Sequence, residues 1–131
     1  MQLDGTTAFS GFSVKDIAEA KAFYGETLGL RVTDEDMGLI ALHVAGGNPI
    51  LIYPKAAGHT PATFTVLNFK VKDIDAAIDA LVAKGSTFEH YDMQGFKTDL
   101  KGVLRGAAVG QGPNIAWFKD PSGNILSLIE E

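Results

Sequence analysis

Cysteine is absent from the 131 residues. That removes disulfides, thiolate zinc sites, iron–sulfur clusters and cysteine nucleophiles. Basic residues are outnumbered, 11 Lys and Arg against 16 Asp and Glu, for a formal charge of −5. A nucleic-acid partner requires a basic face and is not expected. No apolar run approaches the ~20 residues that a membrane-spanning helix needs. The opening Met1-Gln2-Leu3-Asp4-Gly5 offers neither a basic nor an apolar signal region. A cytoplasmic protein without membrane contact is therefore expected. Hydrophobic residues make up 46% and charged residues 21%, which excludes a disordered chain. At this length one ordinary domain can bury a core without a metal or crosslink.

What the sequence does contain is a repeat. Val14-Lys15-Asp16-Ile17 returns as Val71-Lys72-Asp73-Ile74. Further on, Leu39-Ile40-Ala41-Leu42 with Gly47-Asn48 returns as Ile115-Ala116-Trp117-Phe118 with Gly123-Asn124. The order is kept, so one module is written twice, with an insertion between the landmarks of the second copy. In the first copy, residues 7–14 alternate as a strand, and Asp16 with Glu19 makes a capping box. Ile17, Ala20, Phe23, Tyr24 and Leu28 recur at helical spacing, and Gly29 ends the helix. Strands are predicted near 31–35, 39–44 and 49–53. The second copy predicts a strand at 64–71, a helix capped by Asp73 and striped by Ile74, Ala77, Ile78 and Leu81, and strands near 87–91, 114–119 and 124–129. A linker rich in Ala, Gly and Pro covers 55–61.

The fold class is thus α+β: one domain, 1–131, of two βαβββ modules, the first spanning 1–57 and the second 62–131. Each helix covers one face of its sheet, and the other faces are expected to form a cleft between the modules. Exposed sheet edges in such small modules predict a homodimer.

Val14-Lys15-Asp16-Ile17 leading into Phe23-Tyr24-Gly25-Glu26-Thr27-Leu28-Gly29-Leu30, and Phe118-Lys119-Asp120-Pro121-Ser122-Gly123-Asn124 near the end, resemble the vicinal oxygen chelate superfamily. That group includes glyoxalase I, the bleomycin-resistance proteins and the extradiol dioxygenases. The resemblance covers nearly the whole chain, and its motifs are structural: a helix cap, a helix end and a turn between strands. It implies the fold and leaves the activity to the cleft.

The resemblance also implies where a divalent metal would be held, by one ligand on the first strand of each module and one on the last. Those positions are Phe9, Val66, Leu51 and Ser127. Hydrocarbon side chains and a lone hydroxyl do not replace imidazole and carboxylate. No metal and no other cofactor is expected, and glyoxalase or dioxygenase chemistry loses its usual ligands. Of the three histidines, His59 reads as a solvated linker residue and His90 as an exposed strand end. His43, on the strand face of Ala41, is the first suspect for any non-standard site.

Strand alternation places Phe9, His43, Tyr53, Asn68, Trp117 and Ser127 on the face away from the helices, an aromatic wall with sparse polar points. This predicts metal-independent binding of a small organic molecule, drug or toxin sequestration included. The competing readings are a lyase, isomerase or oxygenase with a non-standard site, and a structural or sensory dimer with a filled cleft. The glycine-rich insertion 93–113 carries Lys101 and Arg105. It reads either as a lid bringing cations to an anionic ligand or as a solvated surface loop.

Overall fold

Asp16 and Asp73 each begin a helix by accepting a backbone N–H with the side chain, Asp16 from Glu19 and Asp73 from Ala76. In the computed structural model, which describes residues 1–131, each follows a strand and each helix covers one four-stranded sheet. The chain divides into two compact units, Met1–Thr60 and Pro61–Glu131.

The first unit runs β1 (Gly11–Val14), α1 (Ile17–Ala22), β2 (Arg31–Asp34), β3 (Ile40–His43) and β4 (Ile50–Pro54). The strand order is β1-β4-β3-β2, with β1 parallel to β4 and the other pairs antiparallel. Val14, Ile40, Leu42, Ile50 and Ile52 alternate onto the buried face, under Ala20 and Tyr24. The helix is shorter than its apolar spacing predicts. After Ala22 it widens into a π-turn over Phe23–Thr27, where the Leu28 N–H reaches back to the Phe23 carbonyl at 2.9 Å. The wide turn carries the fully buried Tyr24, which meets Phe12 and Phe23 edge-on. Burying such a ring contributes on the order of 2–3 kcal/mol.

The first strand also starts later than predicted. Its ladder ends where the Leu51 N–H bonds the Ser10 carbonyl. Before that the chain lifts away, and the Asn48 side-chain amide holds the Ala8 carbonyl instead.

The second unit runs β5 (Thr65–Val71), α2 (Ile74–Ala83), β6 (Asp92–Met93), β7 (Phe96–Lys97), β8 (Val103–Arg105), β9 (Asn114–Lys119) and β10 (Ile125–Glu130). Its main sheet has the order β5-β10-β9-β8, so the repeated sequence gives a repeated topology. Ile74, Ile78, Phe88, Val103, Ala116, Phe118, Leu126 and Leu128 fill its core. The Asp120–Asn124 turn is a structural device: the buried Asp120 carboxylate accepts the Ser122 and Asn124 N–H groups and the Asn124 side-chain amide.

The strand predicted near 87–91 is corrected to a single bridge, Phe88 with Phe118. From there the chain leaves the sheet, makes the hairpin β6–β7, and returns as β8 to resume the same edge. The return is possible only for glycine. Gly102 has φ +86°, and a Cβ there would lie 2.8 Å from the Glu89 carbonyl oxygen. No helix is long and apolar enough to cross a membrane.

Candidate functional site

Sheet register decides which side chains share the helix-free faces. In the second unit Ser127 of β10 pairs with Asn68 on one side and Trp117 on the other. The three form one row across the sheet. The fully buried Ser127 hydroxyl donates to Asn68 Oδ1. Trp117 is half-buried, with ring centroids of Tyr91 at 5.7 Å and Phe96 at 5.3 Å, and those two rings are 5.8 Å apart. The β6–β7 hairpin supplies this packing, and its base is closed by hydrogen bonds between Tyr91 and Thr98. Burial, followed by the Glu89 charge, raises the Tyr91 phenol above its ordinary value.

Sequence reasoning missed Tyr91 and Phe96. The signal was their position in a glycine-containing hairpin, but their facing follows only from the pairing of that hairpin.

In the first unit, Tyr53 lies opposite Ser13 in the ladder and is 39% exposed. Ser13 Oγ is 2.8 Å from His59 Nδ1. His59 is therefore half-buried and tied to the sheet, which corrects its reading as a solvated linker residue. His90 is exposed, as its sequence position predicts.

His43 sits opposite Arg31 in the β2–β3 pair. Arg31 Nη2 lies 3.0 Å from His43 Nδ1, and Thr33 Oγ1 lies 2.9 Å from Nε2. Thr33 Oγ1 in turn donates to Glu35 Oε2 at 2.8 Å. Both ring nitrogens of His43 are thus engaged within the protein. Phe9 lies before β1 and is 68% exposed, so it is not the strand wall that alternation predicted.

The idea of a cationic lid is also corrected. Arg105 Nε bonds Asp99 Oδ2 at 2.8 Å, and its other nitrogens take both oxygens of Asp75 on α2. Lys101 Nζ bridges Asp75 and Asp79, at 3.1 and 3.0 Å. Register puts Arg105 opposite Asn114, whose side chain bonds Glu130, and Glu130 accepts the first N–H of α2. The two cations therefore belong to the helix-bearing side. Burial works to raise the Asp99 carboxyl, but Arg105 and the N–H groups of Val103 and Lys101 hold it below its ordinary value.

A family model described as Glyoxalase/Bleomycin resistance protein/Dioxygenase superfamily matches residues 6–128. The chain belongs to that superfamily. No curated protein matches it in sequence. Among solved structures it is similar to TnmS3, an antibiotic binding protein from Streptomyces sp. CB03234. The TM-score is 0.65 at 20% identity, covering 96% of this chain and 97% of that one. A superfamily member from Sphaerobacter thermophilus DSM 20745 gives 0.65 at 23% identity, covering 96% and 98%. An integron cassette protein from the mobile metagenome of V. cholerae gives 0.64 at 19% identity, covering 99% and 98%. At these identities the likeness establishes the fold.

The superfamily resemblance implies metal ligands at Phe9, Leu51, Val66 and Ser127. The residues present do not fit a divalent ion: three are hydrocarbon, and the Ser127 hydroxyl is spent on Asn68. Elsewhere, no three His, Asp or Glu side chains come together as a cation site.

Proposed function

We propose that the protein binds a small organic molecule without a divalent metal, on the helix-free face of the second unit, and that sequestration of a drug or toxin is its use. The observation that carries this reading is the row Asn68–Ser127–Trp117, with Tyr91 and Phe96 against the indole. The aromatic rings supply flat apolar area. Asn68 is exposed, and with its Oδ1 taken by Ser127 its amide nitrogen remains to orient a polar group. The similarity to an antibiotic binding protein supports the same class of ligand. A homodimer belongs to this proposal, a second copy covering a sheet edge.

The test is a panel of planar aromatic compounds added in the presence of chelator. Trp117 is the only tryptophan, so its fluorescence reports the face directly. At least one compound should quench it and raise the melting temperature, and Asn68→Ala should weaken that compound by ~0.5–1.5 kcal/mol. Binding that appears only after a divalent metal is added would overturn the reading.

A further inference from the structure

We infer that a hollow on the first unit takes an organic ammonium ion with an apolar body, anchored on Glu35, and that Arg31, His43 and Thr33 position that carboxylate. The inference goes beyond the reading above: it concerns a separate site, on the other unit, and a ligand of stated charge.

The hollow measures about 300 Å³, the lower end of the range for ligand pockets. Phe9, Ala41, Pro49 and Leu51 give it apolar walls, and Thr7, Asn48 and Glu35 give it polar points. Glu35 is the one ionisable group among its lining residues. Asn48 gives one amide N–H to the Ala8 carbonyl, which holds the side chain in place and leaves its oxygen to accept. An ammonium group has donors and no acceptors, which suits a site whose one charge is a carboxylate and whose Asn48 oxygen can accept beside it. The exposed Phe9 ring adds a π face for the cation, and the charge of −5 favours its approach.

The carboxylate is held by a chain whose direction is fixed at one end. A guanidinium only donates, so Arg31 gives a hydrogen to His43 Nδ1. The ring proton then sits on Nε2 and goes to Thr33 Oγ1, which frees the threonine hydrogen for Glu35 Oε2. Arg31 gives an N–H to this chain and does not line the hollow. One carboxylate oxygen is fixed in place, and the other is left with its lone pairs for a ligand.

Phenethylammonium, phenethyl alcohol and phenylpropionate share one aromatic body and differ in the charge of the head. Titrated into the labelled protein, they should perturb the amides of Phe9, Glu35 and Leu51 in that order of affinity. The ammonium should bind about fivefold tighter than the alcohol, from an exposed ion pair and a cation–π contact together. Glu35→Gln should remove this advantage and bring the ammonium and the alcohol to equal affinity. Thr33→Val should reduce it with Glu35 still present, and the nitrogen spectrum should show His43 as the Nε2–H tautomer, lost in Arg31→Ala. Equal affinity for ammonium and alcohol, or an advantage that survives Glu35→Gln, would overturn the inference. Binding of none of the three, with aromatic compounds still quenching Trp117, would overturn it and leave the broader reading standing. Silence in both assays would overturn both.

Discussion

Arg105 sets Nη1 on Asp75 Oδ2 at 3.0 Å and Nη2 on Asp75 Oδ1 at 2.7 Å, a two-point clasp between the edge strand β8 and the first turn of α2. The Arg105 and Lys101 hydrogen bonds hold the Asp75 carboxyl well below the usual carboxylate range. A carboxyl lowered by folding stabilises the protein above its unfolded value, and that contribution is lost as the pH falls beneath it. The melting temperature should therefore drop as the pH goes below about 4. In Asp75→Asn it should begin lower and show less of this drop, measured by circular dichroism.

Gly102 and Gly95 both have positive φ, yet a Cβ at Gly102 meets the Glu89 carbonyl while nothing lies within 4 Å of one at Gly95. Gly95→Ala should cost about 1–2 kcal/mol, the left-handed penalty alone. Gly102→Ala should cost more than that, because the backbone of Glu89 must also move. Urea unfolding of the two variants makes the comparison.

Trp117 is half-buried among aromatic rings, between a solvent-facing wall and a core residue. Trp117→Ala should destabilise by about 2 kcal/mol, less than the ~3–5 of a fully buried ring. It should abolish aromatic ligand binding while a cooperative transition remains. A loss of core size would make Trp117 part of the interior and remove it from the site.

Phe9, Leu51, Val66 and Ser127 offer no ligand set for a divalent ion. Purified protein should carry no stoichiometric Zn, Ni, Mn or Fe, and chelator should leave its melting temperature unchanged. One metal per chain by elemental measurement would contradict this.

Much of the fold is legible because it is local or repeated. Asp16 and Asp73 announce their helices through side-chain caps, and the Asp120–Asn124 turn is written in its own residues. Period-two alternation sets Trp117 and Ser127 on one face, and the ladder makes them direct neighbours. The second unit's edge is not legible. Val103-Leu104-Arg105 is too short and too closely flanked by Gly102 and Gly106 to read as a strand, and its pairing depends on β9. The Lys101 and Arg105 partners were half-visible. Asp75 and Asp79 lie one helical turn apart, but which cations reach them depends on where the insertion folds back. The Arg31–His43–Thr33–Glu35 chain needed the β2–β3 register, which places His43 opposite Arg31.

Glu89 and Gly102 touch at the point where the second unit's edge strand breaks. The residues between them form a lobe with a closed neck, and the sheet does not register how many there are. Loop entropy changes by only about 0.6 kcal/mol for each doubling of such a segment. The tip of the lobe, the hairpin over 92–97, can lengthen, shorten or be exchanged while Asp99 and Lys101 keep their bonds to β8 and α2. Since that tip carries Phe96 to the indole of Trp117, ligand preference can be rewritten there without touching the bonds that tie β8 to α2.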